Sequence, residues 1–198
     1  MTLSEESYKE KCREIVFYSF GTVFILKNKK KKYSRITTTI LLLGIIVPIL
    51  SYSLLLISDT DSLQITEELK ILFYILGVIQ VVISVISLAY KWEDKKTHAD
   101  KAIEKNLEFH NKAKDLQDSN LTATKQEITR LWDDYNHQEK LDIGVISVSR
   151  KEERAAMSHT LYNLGLNCAK CDKTPIRSSL PYFGYKCDCC GQNLKERL

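Results

Sequence analysis

Residues 36–57, ITTTILLLGIIVPILSYSLLLI, and residues 71–90, ILFYILGVIQVVISVISLAY, carry no charged side chain over 22 and 20 positions. Each is long enough to cross the ~30 Å hydrocarbon core as a helix, which takes roughly 20 apolar residues and closes its backbone hydrogen bonds within itself. Two buried helices of a water-soluble core are the competing reading. They fit less well, because core helices usually run shorter and keep polar positions. The sequence therefore predicts an all-α membrane protein built on a two-helix transmembrane hairpin, spans 36–57 and 71–90, inside a domain of residues 36–90.

The flanking charges orient that hairpin. Lys27, Lys29, Lys30, Lys31, Lys32 and Arg35 precede the first span, and Lys91, Lys95 and Lys96 follow the second, whereas the connection 58–70 holds Asp59, Asp61, Glu67 and Glu68 against one lysine. Lys and Arg resist translocation, so both flanks and both termini are expected in the cytosol, with only the acidic loop outside. The first apolar block begins near residue 36 after a charged stretch, which does not fit a secretory signal peptide. Over the whole chain Lys plus Arg exceed Asp plus Glu by 29 to 25. That surplus is too small to argue for nucleic acid from net charge. A nucleophile paired with a base and a phosphate-cradling glycine loop are both missing from the pattern, so an enzyme is not expected.

Each span carries a stripe of small and polar residues. Gly44, Pro48 and Ser51 recur at spacings of four and three, as do Gly77, Gln80, Ser84 and Ser87, which lead on to Lys91. Such a stripe either packs helix against helix or, in an oligomer, lines a water-filled path. Packing is the expected role of Gly44 and Gly77. Gln80, Ser84 and Ser87 are the pore-lining candidates, and Pro48 should kink its helix. The apolar segment 15–26 is too short to span and is expected as an interfacial helix within an N-terminal region, residues 1–35. Cys12 beside it reads as a small buried apolar residue.

Residues 91–164 are rich in helix formers. Ala99, Ile103, Phe109, Ala113 and Leu116 share one helical face, a break is expected near Asp118–Leu121, and the face resumes at Ile128, Leu131 and Tyr135. Thr124 with Glu127 and Ser149 with Glu152 have capping-box spacing, and Gly165 should end the last helix. These amphipathic cytosolic helices need partners, for which self-association of copies is the economical source. The histidines at 98, 110, 137 and 159 read as surface or bundle-lining residues, and Asp133, Asp134 and His137 as a solvated cluster.

The most specific local signal is in the tail, residues 165–198. Five of the six cysteines lie there, and Cys168-Ala-Lys-Cys171 and Cys187-Asp-Cys189-Cys190 form two C-x-x-C pairs separated by fifteen residues. Two close-set thiolates fit one side of a tetrahedral ion, so a small zinc ribbon holding one structural Zn2+ through Cys168, Cys171, Cys187 and Cys190 is expected. A register using Cys189 is the other reading. Lys170, Lys173, Arg177 and Lys186 lie among Tyr182, Phe183 and Tyr185. Either the metal staples a domain too small for its own core, or these basic and aromatic residues also hold a nucleotide.

A short N-terminal helix, a basic stretch, a hairpin with a tiny loop and a following helix, together with Ala102, the run Leu107-Glu-Phe-His110-Asn-Lys-Ala113-Lys-Asp-Leu116 and Arg130-Leu131, resemble the SLATT family of bacterial antiphage effectors over roughly residues 5–140. The appended zinc ribbon and the interruption after Asp118 depart from that pattern. The resemblance implies a homo-oligomer, a tetramer by preference, in the bacterial inner membrane. It also implies a channel that depolarises the cell when a nucleotide or oligonucleotide signal from a partner nucleotidyltransferase changes, as in Hailong-type effectors. Lys91, Lys95, Lys96, Lys170 and Lys173 are the ligand-binding candidates. The rival from another class is a membrane-tethered adaptor whose zinc ribbon recruits nucleic acid or protein.

Overall fold

The computed structural model describes residues 5–58, 67–118, 125–169, 172 and 175. Among them it shows five helices and no strand: α1 (Glu5–Ser58), α2 (Glu67–Tyr90), α3 (Trp92–Asp118), α4 (Lys125–Val145) and α5 (Arg150–Leu164). The chain divides into two units, one made of Met1–Lys29 with His98–Leu198 and the other of Lys30–Thr97.

The Lys30–Thr97 unit contains the two apolar stretches, each in a helix long and apolar enough to cross a membrane, with no buried residue in either apolar window. Leu42, Ile46 and Ile49 on α1 and Tyr74, Val81, Val85 and Leu88 on α2 are exposed. A core helix of a water-soluble protein hides such side chains, and apolar surface this continuous marks contact with lipid or a partner. Half-buried positions make a stripe along each helix, with Tyr33, Thr37, Ile40, Val47 and Ser51 on α1 and Phe73, Gly77, Gln80, Ser84 and Ser87 on α2. Three hydroxyls on these stripes are satisfied by their own helix. Thr37 donates to Tyr33 O, Ser51 to Val47 O and Ser84 to Gln80 O at 3.1, 2.8 and 2.9 Å. Helix α1 continues through Pro48.

Lys91 stands between α2 and α3 with a left-handed φ of 50°. Its N–H donates back to Leu88 O at 3.3 Å, and its carbonyl accepts from Lys95 N at 3.0 Å, so one residue both ends α2 and starts α3. A lysine there costs about 1 kcal/mol in backbone strain, which a continuous helix would have avoided.

In the other unit the first half of α1 packs with α3, α4 and α5. Cys12, Ile15, Ser19, Val23 and Leu26 are all buried, at spacings of three and four that define one helical face. The segment 15–26, expected as a short interfacial helix, is instead part of the first half of a longer one. Charged residues such as Arg13 and Glu14 interrupt the apolar run without touching the buried face, so counting uncharged residues underestimated the helix. Ile15, Phe109, Ala113, Leu131 and Tyr135 make one cluster. Leu26, Ala99, Ala102 and Ile146 make a second. The face expected on α3 and α4 is thus the one that is buried, with Ile103 and Leu116 at its edges. Its packing partner, sought in another copy, is supplied within the chain by α1.

Gly21 allows α1 to approach α5 closely, since a Cβ there would meet Thr160 Oγ1 at 3.1 Å and Ala156 Cβ at 3.7 Å. Helix α5 has both expected ends. Ser149 and Glu152 form the capping box, and Gly165 closes the helix at φ 63°. Helix α3 ends at Asp118, where a break was expected, while the capping pair at Thr124 lies outside the described residues.

Glu152 also receives Lys29 Nζ at 2.7 Å. Burial raises its pKa, but the Lys29 pair and the Ser149 hydrogen bonds outweigh burial and leave it below the ordinary 4.5. A carboxylate depressed on folding contributes stability that is present above its unfolded pKa and is lost as pH falls through its folded pKa. Melting temperatures measured at pH 7 and pH 3.5 should therefore differ less for Glu152→Gln than for the unmodified chain.

Candidate functional site

The chemistry-bearing residues fall into three groups. In the Lys30–Thr97 unit, Gln80 is the one amide in the middle of α2. Its Nε2 lies 3.8 Å from where a Cβ on Gly44 would sit. Pro48 has no N–H to offer the carbonyl four residues earlier, so Gly44 is also the residue whose carbonyl loses its helical donor. The Gln80 amide thus stands near a backbone position in need of a donor, at a distance that a Cβ on residue 44 would meet in ordinary van der Waals contact. This places Gln80 at the seam of the hairpin, with Gly77, Ser84 and Ser87 along the same half-buried stripe. Lys91, Lys95 and Lys96 follow within the same unit, and Lys96 Nζ is 2.9 Å from Glu93 Oε1.

The second group is a buried polar network that the sequence did not announce. Asn106 and Asp142 are 2% and 6% exposed. Asn106 Nδ2 donates to Asp142 Oδ2 at 3.1 Å and to Ala102 O at 2.8 Å, and Gln138 Nε2 donates to Asp142 Oδ1 at 2.8 Å. His98 Nε2 stands 3.3 Å from Asp142 Oδ1 without hydrogen-bond alignment. The buried carboxylate thus ties α3 to α4. Its one sequence signal is Asn106, a polar residue on the stripe that runs from Ala102 to Phe109.

His110 and His159 are structural as well. His110 Nδ1 is 3.2 Å from Val16 O. His159 stacks on Phe24 at 4.2 Å. Tyr135 has its pKa raised by burial and by the Glu139 carboxylate, so its phenol stays protonated. Asp133, Asp134 and His137 are exposed, as a solvated cluster should be.

The third group is the start of the tail. Cys168 is buried, three residues beyond the Gly165 cap. Asp172 N donates to Cys168 O at 2.8 Å, and Asn167 Nδ2 donates to Asp172 Oδ1 at 3.2 Å. Asp172 takes a left-handed φ of 53°. Cys171, Cys187, Cys190, Cys189, Lys170 and Lys173 lie outside the described residues, as does the expected ribbon. Among the described residues no three His, Cys, Asp or Glu side chains are grouped to hold a metal. Beside Cys168 opens a cavity of ≈ 1490 Å³ lined by Arg13, Phe17, Tyr18, Arg154 and Leu161 among others. The sequence reading missed it, because its walls come from helices far apart in the chain.

Comparison with curated proteins returns no match. Comparison with solved structures returns none either. A family described as "Mobilome CxxCx(11)CxxC protein" matches residues 9–193. The pairs in this chain stand fifteen residues apart where the family description gives eleven. Both pairs are nonetheless present in the C-x-x-C register, and the match runs from the first turns of α1 through the second pair, so the chain belongs to this mobilome CxxC–CxxC family.

Proposed function

We propose that this protein is a membrane-embedded, homo-oligomeric pore: an effector of bacterial antiphage defence, gated by a nucleotide or oligonucleotide and carrying one structural zinc in its tail. The observation that carries the reading is the contrast within the Lys30–Thr97 unit. Two helices long enough to span expose apolar side chains outward, while Gln80, Ser84 and Ser87 form a half-buried polar stripe. An amide inside a bilayer is costly unless it meets partners or water, and it is a functional-site signal for that reason. Rearrangement of the hairpin seam in an oligomer would turn the stripe toward a water path. The basic residues on both flanks favour cytosolic termini, and Lys91, Lys95 and Lys96 offer charge for a phosphate chain. The family's mobilome setting suits a defence function.

The test is planar-bilayer current from purified protein, with and without short oligonucleotides. Discrete conductance steps that respond to an oligonucleotide are expected, and Gln80→Leu should reduce unitary conductance severalfold. Unchanged conductance in Gln80→Leu removes it from the path. A folded, zinc-loaded protein that stays silent favours the tethered adaptor.

Four thiolates in two C-x-x-C pairs suit a tetrahedral zinc ion. The C-x-x-C register in the family's description supports Cys187 and Cys190 as the second pair. Metal analysis of the purified chain should find one zinc. Cys187→Ser should lose it and Cys189→Ser should keep it; the reverse pattern would assign the ligand role to Cys189.

A further inference from the structure

We infer that a cleft walled by α1, α4 and α5 binds an organic ammonium ion with an apolar body. The cleft has a volume of ≈ 360 Å³, within the ~300–1,000 Å³ of small-molecule sites. Every charged residue lining it is acidic: Glu139 and Asp142 from α4 and Glu153 from α5. This stands out in a chain of net charge +4, and it differs from the larger cavity beside Cys168, which mixes arginine with glutamate. Phe17 and Tyr18 line the cleft from α1, their rings edge to face with centroids 5.4 Å apart.

A second and independent feature points to a ligand. Thr160 is fully buried at the cleft, and its Oγ1 has no hydrogen-bond partner among the described residues. A buried hydroxyl without a partner is costly, and an N–H donor would satisfy its oxygen. Carboxylates to neutralise charge, an oxygen to accept an N–H, and aromatic rings that attract cations describe the recognition of a protonated amine. Met157 and Ile143 add apolar wall for its hydrocarbon portion. An anionic nucleotide would be repelled here, so this site is separate from the proposed signal and does not depend on the pore reading.

The experiment is calorimetric titration of the full chain in detergent with 2-phenylethylammonium, using the neutral isostere 2-phenylethanol as control. Saturable binding of the ammonium, none of the alcohol, and a loss of about tenfold in affinity in Glu139→Gln/Glu153→Gln are expected, since exposed carboxylates contribute modestly one by one and here act together. Both glutamates are exposed, so the double variant should keep its helical circular dichroism. Absence of saturable binding, equal affinity in the double variant, or equal binding of the alcohol overturns the inference.

Discussion

Asp142→Ala is expected to lower the stability of the helical bundle by about 3 kcal/mol. The carboxylate is buried and accepts from Asn106 and Gln138, and hydrogen bonds to a charged group are worth ~1.5–3 kcal/mol each. Alanine removes the acceptor and leaves the Asn106 amide inside the bundle with only its bond to Ala102 O. Asp142→Asn should cost less, because it keeps the shape and one acceptor oxygen while placing an NH2 where the other acceptor is needed. Alanine at the exposed Asp133 should stay within ~0.5 kcal/mol of the unmodified chain. Denaturant unfolding followed by far-UV circular dichroism measures all three, and equal midpoints for Asp142→Ala and Asp133→Ala would show that the network carries no stability.

Ile15→Ala is the second large effect, with an expected loss of ~2–5 kcal/mol. Ile15 is 0% exposed and touches the cluster of Phe109, Ala113, Leu131 and Tyr135. Trimming it opens a cavity between α1, α3 and α4 that rigid helices fill only in part. Trp132 packs against the same cluster and reports on it through its fluorescence. Ile49→Ala, at a position 59% exposed, should leave the Trp132 transition where it is. The pair of variants separates two pictures of the N-terminal segment. If residues 15–26 were an interfacial helix apart from the bundle, Ile15→Ala would leave that transition unmoved too.

Much of the helical architecture was legible because period and punctuation agree in this sequence. The apolar runs gave α2 and the second part of α1, the face of α3 and α4 followed from its spacing, and Ser149, Glu152 and Gly165 marked the ends of α5 through fixed backbone chemistry. What stayed hidden depends on tertiary proximity. The helix containing Ile15 reads as short because charges at Arg13 and Glu14 break the run, although neither lies on the buried face. Asp142 reads as one more surface acid until α3 brings Asn106 against it. The acidic cleft draws on residues 17 to 160, a separation that no local pattern encodes. The tail is the opposite case, since the spacing of its cysteines alone brings out the two C-x-x-C pairs through which the family match runs.

The division of the chain bears on how it is made. The bundle is discontinuous in sequence: its N-terminal portion ends at Lys29 and the rest begins at His98. During synthesis the face of Cys12, Ile15, Ser19 and Val23 therefore emerges early and waits through both apolar stretches before its partners on α3 exist. Contacts that close so long a loop form late and slowly. Until then an exposed apolar stripe stands beside segments competent to enter a bilayer, the circumstance in which nascent chains aggregate or engage chaperones. The helices of the Lys30–Thr97 unit are thus complete in the growing chain before the bundle can close, because the bundle needs α3 to α5.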